Sequence, residues 1–209
     1  APESPGLCLV HYLCNGFNRA DAARLVYDDH YFKSGKKSFR FIRKKTEDRS
    51  DTEIVIPIIE PLQKILDEIA SKPEKGALVF PQIYAGETDE DKQKARISQE
   101  NQNIRKRLGR LVKSMGWEVA PSGTWCRHSF ATNLSHAGGV PKEYIQEAMG
   151  HSVMSGTVTD RYIQSYPIAQ QMEFNSRLLN LNDDADIMEE LKGLTPEQIK
   201  ALIAFVKKS

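Results

Sequence analysis

The most restrictive feature of this 209-residue sequence is a run of short helical segments cut at fixed places by glycine and proline. Residues 124–137 read as a helix closed by Gly138 and Gly139, residues 141–149 as a second closed by Gly150, and residues 158–165 as a third that stops before Pro167. Pro141 suits a first helical turn, where its missing N–H is not needed. Gly150 suits the left-handed position just past a helix end, which would throw His151 into a defined corner.

The upstream half has a different grammar. Residues 7–13 read as a buried helix that stops near Asn15 and Gly16, and residues 20–26 as a second begun around Asn18. Aromatic and basic residues alternate over 38–45 and a β-branched run covers 53–58, so the two form a hairpin with a polar loop at 48–51. Helical spacing returns over 62–69. Leu78, Val79 and Phe80 before Pro81 read as a short extended piece, and the polar stretch 86–94 as a mobile loop. A long helix over 102–115 places Ile104, Leu108, Leu111 and Val112 on one stripe. In the tail, Thr195, Pro196 and Glu197 start a helix whose Ile199, Leu202, Ile203 and Val206 form an apolar stripe. The pattern predicts a mainly α chain with a small antiparallel β-hairpin or sheet, an α+β class, without internal repeats.

Composition excludes several functions. A chain of 209 residues can bury a core without disulfide or metal staples, and 40% hydrophobic with 27% charged residues is the balance of a soluble globular protein. No apolar run is long enough to span a bilayer, so no membrane partner is expected. Cys8, Cys14 and Cys126 are odd in number and lack metal-ligand spacing, which favours buried free thiols in a reducing, cytoplasmic compartment. No signal peptide is visible, and the abrupt start at Ala1 before Pro2 and Pro5 suggests that an upstream domain is missing.

A net charge of +1 argues by itself against nucleic acid as a partner, but its distribution argues for it. Lys33, Lys36, Lys37, Arg40, Arg43, Lys44 and Lys45 crowd one segment, while Asp183, Asp184, Asp186, Glu189 and Glu190 dilute the total near the end. A second cluster, Arg105, Lys106, Arg107, Arg110 and Lys113, reads as the solvated face of its helix.

The punctuated region carries a specific set of residues: Arg127-His128-Ser129-Phe130-Ala131-Thr132, then Gly138, then Ile145-Gln146-Glu147-Ala148-Met149-Gly150-His151-Ser152, then Thr159-Asp160-Arg161-Tyr162. In order and spacing these resemble the signature of the tyrosine recombinase (phage integrase) family. There a helix carries an arginine, a turn after a Leu-Gly or Met-Gly pair carries a histidine, and the next helix carries a tyrosine. Upstream, Ile42-Arg43-Lys44-Lys45-Thr46 is similar to the family's β-hairpin lysine motif. The likeness covers most of the chain up to about Leu181.

The resemblance implies a recombinase catalytic domain over 1–181, followed by an acidic linker and amphipathic helix over 182–209. It implies a site-specific recombinase or integrase that cleaves and rejoins DNA through a 3′-phosphotyrosyl bond on Tyr162, with no metal or cofactor. Double-stranded DNA attachment sites are the implied partners, bound by a homo-tetramer at the nucleoid, with room for accessory DNA-bending proteins; a mobile-element integrase is the preferred type. The alternative is a degenerate relative that binds DNA as a regulatory or architectural factor without cutting it.

The chemistry fits these residue types. Phosphoryl transfer relies on positioning and charge stabilisation, and a tyrosine of ordinary pKa near ~10 must lose its proton as it attacks. Tyr166 lies one helical turn from Tyr162 and competes with it, but the spacing from His151 favours Tyr162. Arg127 would clamp the scissile phosphate with its planar fork, and His151 would donate to a non-bridging oxygen or assist proton transfer. Lys45 is the implied acid toward the leaving 5′ oxygen. His128 is expected to be a structural histidine bonded to the backbone.

Two departures stand out. The family's first arginine falls on Asn18, followed by Arg19; Arg43 could replace it from the hairpin face, Arg19 or Arg24 from the helix, and Arg43 is preferred. Alternation along the strand puts Arg43 and Lys45 on one face and Lys44 on the other. Thr124 stands where the family usually has histidine. It can give a phosphate one hydrogen bond but no charge, and could equally cap a helix.

Overall fold

The computed structural model describes residues 6–43, 53–151, 165–179 and 195, and among these eight α-helices accompany one two-stranded sheet. The first helix, α1 (Gly6–Leu13), buries Val10 and Leu13 completely and ends where Asn15 and Gly16 take left-handed backbone angles, φ 54° and 63°. The reversal starts α2 (Arg19–Arg24), whose cap is the Asn18 side-chain oxygen accepting from the Asp21 N–H at 2.9 Å. A third short helix, α3 (Asp29–Lys33), is capped in the same way by Asp28.

The hairpin follows, with β1 (Ser38–Ile42) antiparallel to β2 (Glu53–Pro57) and Phe39 opposite Ile56. Its ends match the expected strands to within a few residues. Arg40 on β1 is held by Asp28 at 3.4 Å and by Glu53 at 3.2 Å, so part of the first basic cluster is engaged within the chain. After α4 (Glu60–Ile69), Leu78 bridges back to Val26 as an isolated extended residue, and a 3-10 turn spans Pro81–Ile83.

The next helix corrects the sequence-based expectation. It runs as α5 (Glu90–Ser114), beginning twelve residues before position 102, and takes in much of the stretch read as a loop. Polarity was the misleading signal. Asp89 accepts from the Lys92 N–H at 2.9 Å, Glu90 and Asp91 sit where the helix dipole favours negative charge, and Lys94 pairs with Glu90 at 3.3 Å. Its apolar stripe is as expected, with Ile104 and Val112 buried, and all five basic residues of the second cluster are exposed.

Two of the three punctuated helices fall on described residues and form as expected: α6 (Trp125–His136) and α7 (Lys142–Ala148). The expected helix at 158–165, apart from Ser165 at its end, and the tail helix after Thr195 lie outside the described residues. A further helix not foreseen, α8 (Ile168–Ser176), leads into a 3-10 turn at Arg177–Leu179.

A single apolar cluster joins these elements, with Leu13, Phe39, Ile56, Leu62, Phe130 and Phe174 among its buried members. Burying each such side chain contributes roughly 1.5–3 kcal/mol. A buried polar chain runs through it. Asn15 donates to the Val55 carbonyl at 2.9 Å, Asn175 donates to the Asn15 side-chain oxygen at 2.8 Å, and the Tyr144 hydroxyl donates to Asn175 at 2.7 Å. The end of α1, strand β2, α7 and α8 are thereby fixed to one another, since breaking one link would strand buried polar atoms.

His11 holds the turn after α1. Its Nδ1–H donates to the Phe17 carbonyl at 2.9 Å, and burial, reinforced by the Arg19 charge, pushes its pKa down to about 4. The folded chain thus keeps this imidazole neutral, while the unfolded chain protonates it near ~6.5, so stability is present above that value and is lost as pH falls toward 4. Wild type should lose on the order of 3 kcal/mol across that window relative to His11→Gln, measured as urea unfolding at several pH values. Equal pH slopes for the two proteins would contradict the assignment.

Candidate active site

The site is built around the end of α7. Gly150 takes φ 65°, its N–H donates to the Glu147 carbonyl at 2.8 Å, and the His151 N–H donates to the Gln146 carbonyl at 2.9 Å. This Schellman-type ending leaves the Met149 carbonyl directed out of the helix. Two arginines from different elements converge on it. Arg127, in the first turn of α6, donates from Nη2 at 2.7 Å, and Arg43, just past β1, donates from Nη1 at 3.4 Å. No residue but glycine fits at 150, because a Cβ there would overlap Ile54 and stand 3.1 Å from Arg43 Cδ.

Gly16 supplies the opposite wall. A Cβ at that position would lie 2.7 Å from Arg127 Cα, so the turn between α1 and α2 rests directly on α6, and the Gly16 carbonyl accepts from Arg127 Nη1 at 3.4 Å. Arg127 Nη2 also lies 2.9 Å from His151 Nε2. A guanidinium only donates, so His151 Nε2 is the acceptor and the ring is neutral, with its proton on Nδ1. Burial lowers the His151 pKa, and the Arg127 and Arg43 charges lower it further.

Arg127 is pulled down to about 10, first by burial and then by Arg43, with Asp21 acting in the opposite sense; it remains a cation at neutral pH. Asp21 has a side chain only 1% exposed and stands 3.5 Å from Arg43 Nε. Arg127 and Arg43 thus set two guanidiniums at this turn, beside a ring that can give or take a proton. That arrangement suits an anionic group with several oxygens, such as a phosphodiester.

Of the other residues singled out in the sequence, Thr124 is exposed at the N-cap of α6, but its hydroxyl pairs with Ser122 Oγ at 2.7 Å instead of capping the helix. It lines a cleft of about 470 Å³ together with Asn18, Arg19, Arg105 and Arg127. Asn18 is occupied as the cap of α2 and supplies no charge, whereas Arg19 is 3% exposed and Arg24 faces a separate pocket with Arg40. His128, expected to be a structural histidine, is exposed on the outer face of α6. Lys45 and Tyr162 lie outside the described residues. Cys14 is buried as expected, but Cys8 and Cys126 are only partly so; none of the three forms a disulfide.

Sequence reasoning missed Asp21 and the Met149 carbonyl. A backbone acceptor has no residue signature. Asp21 did have one: it sits among Ala20, Ala22 and Ala23 in a helix that buries two of those alanines, where an acid must find a partner.

Among the described residues no group of three or more His, Cys, Asp or Glu could hold a metal ion, and no helix is long and apolar enough to cross a membrane. Residues 13–167 match the phage integrase family. No curated protein and no solved structure matches the chain.

The electrostatic coupling is directly measurable. In an NMR titration His151 should titrate below its ordinary value, and Arg127→Ala should move it upward, since removing a neighbouring cation favours the imidazolium. Arg127→Lys, which keeps the charge, should move it less. A His151 titration unchanged by Arg127→Ala would show that the two do not interact in solution.

Proposed function

The chain belongs to the phage integrase family of tyrosine recombinases, and from that premise we propose that it is a site-specific DNA recombinase whose nucleophile is Tyr162. Family membership makes DNA its partner and DNA recombination its broad function. The observation that carries the finer proposal is the meeting of Arg127, Arg43 and His151 at the Gly150 turn.

In the proposed reaction Arg127 and Arg43 bind the non-bridging oxygens of the scissile phosphate, with Arg43 taking the part of the arginine absent at position 18. The Tyr162 oxygen attacks phosphorus, its proton passing toward His151, as the bond to the 5′ oxygen breaks and Lys45 protonates the leaving hydroxyl. The 3′-phosphotyrosyl bond keeps the energy of the phosphodiester, so an incoming 5′ hydroxyl reverses the step without a cofactor. Thr124 adds at most one hydrogen bond to a phosphate oxygen.

The surroundings of the rival tyrosine support the choice of Tyr162. The Tyr166 ring packs against Tyr144 and Phe174 at centroid distances of 5.4 and 5.8 Å, and burial, Glu143 and Glu147 all raise its pKa. Deprotonation is unfavourable there and the ring is already engaged. We further place residues 1–181 in the catalytic domain and 182–209 in a linker and helix. That helix would dock on the same or a neighbouring protomer of a DNA-bound tetramer, and a mobile-element integrase acting at the nucleoid is the preferred type.

A DNA-binding relative that no longer cuts is the second reading, favoured by the use of the Asn18 side chain as a helix cap and of the Thr124 hydroxyl in a bond to Ser122. A nicked suicide DNA carrying a candidate attachment site separates the two. Wild type and Tyr166→Phe should form a denaturant-stable adduct and Tyr162→Phe should form none. Binding to a verified site without an adduct under any condition would favour the non-cutting reading.

A further inference from the structure

The cleft of about 470 Å³ beside Arg127 is walled by α2, α5 and the start of α6. Three arginines line it, Arg19, Arg105 and Arg127, one from each of these helices, and among the described residues no Asp or Glu does so. Asn18 and Thr124, the two departures from the family's basic residues, line it as well. Its α5 wall is Ile97, Asn101, Ile104, Arg105 and Leu108, at the i, i+4, i+7, i+8 and i+11 spacing of one helix face. At about 100° per residue, Lys106, Arg110 and Lys113 point away from that face, and of the second basic cluster only Arg105 stands at the cleft. Arg105 is exposed and has no hydrogen bond or ion pair with any described residue. Arg40 of the first cluster, by contrast, is held by Asp28 and Glu53.

We propose that this cleft takes a backbone phosphate next to the scissile one, with Arg105 as its cation, so that the charge absent at positions 18 and 124 is supplied from α5. This rests on double-stranded DNA being the substrate. Arg127 belongs both to the cleft and to the Gly150 turn, so the two sites adjoin, and a DNA strand that passes the turn brings a second phosphate to the cleft. An anion there meets guanidiniums and the Asn101 amide without facing a carboxylate. The planar fork of Arg105 can hold two oxygens of one phosphate at once. Such a contact fixes the register of the strand and carries no sequence information, so Arg105 positions the DNA for cleavage whatever its bases are.

The test measures binding of the full chain to a fluorescent duplex carrying the candidate attachment site, over a series of potassium chloride concentrations. Arg105→Ala should weaken binding ~3- to 30-fold and flatten the slope of log K against log salt by ~0.9, the value of one phosphate contact. The position is exposed and alanine favours a helix, so the fold is kept. Arg105→Lys, which retains the charge but not the fork, should keep the slope and lose less affinity. Lys106→Ala and Arg110→Ala, on the far side of the helix, should keep the wild-type slope. A neutral methylphosphonate is then placed in turn at each phosphate flanking the scissile one. At one of them it should weaken wild type as much as Arg105→Ala does on phosphate DNA, and add nothing to Arg105→Ala itself. An unchanged slope in Arg105→Ala, an equal loss of slope in Lys106→Ala, or full additivity at every flanking phosphate would overturn the inference. Wild-type binding that ignores salt would instead refute DNA as the substrate, because no phosphate would then be in contact.

Discussion

The hydrogen bonds accepted by the Met149 carbonyl are the constraint on which the site depends. They bring the side chains of α6 and of the residue after β1 to one point, at 2.7 and 3.4 Å, although Arg43 and Arg127 are 84 residues apart in the chain. The carbonyl is available because α7 ends there, and α7 ends there because Gly150 accepts a left-handed backbone that a side chain would resist. The same missing Cβ lets Ile54 and Arg43 come up against the turn. One glycine thus stops a helix, exposes an acceptor and admits the hairpin.

Two guanidiniums this close repel each other, and each lowers the affinity of its neighbours for protons. The repulsion is offset locally by the Met149 and Gly16 carbonyl dipoles and by the buried Asp21 carboxylate. A carboxylate so buried is costly without a partner, and the arginines supply one. The neutral His151 ring beside the two guanidiniums is ready to exchange a proton. A phosphodiester entering this arrangement would gain fixed donors that need no reorganisation, which is the condition for strong transition-state stabilisation.

Much of this was readable in the sequence where the signal is local. Pro141, Gly138 and Gly150 mark helix ends by backbone chemistry alone, and the β-branched run of β2 marks a strand, so α6, α7 and the hairpin fell where expected. The start of α5 was misjudged because its first three turns are almost entirely polar and draw their stability from a cap and ion pairs, which an apolar period does not register. Helix α3, five residues long, is too short for any period, and only the Asp28 cap announces it. Arg43 is preferred over Arg19 and Arg24 for its place on the hairpin face, and in the fold it shares the Met149 carbonyl with Arg127. The partner they share could not be read from residue types, because it is a main-chain oxygen whose exposure depends on tertiary packing.

The claim that Arg43 and Arg127 together neutralise a DNA phosphate is tested most directly by removing the charge from the DNA. A nicked substrate with a neutral methylphosphonate at the scissile position would be compared with its phosphate counterpart, using wild type and Arg43→Ala. The expected result is that Arg43→Ala loses most of its cleavage on phosphate DNA and regains it on methylphosphonate DNA, where there is less charge to offset. An equal loss on both substrates, or no loss on phosphate DNA, would contradict a phosphate-binding role for the pair.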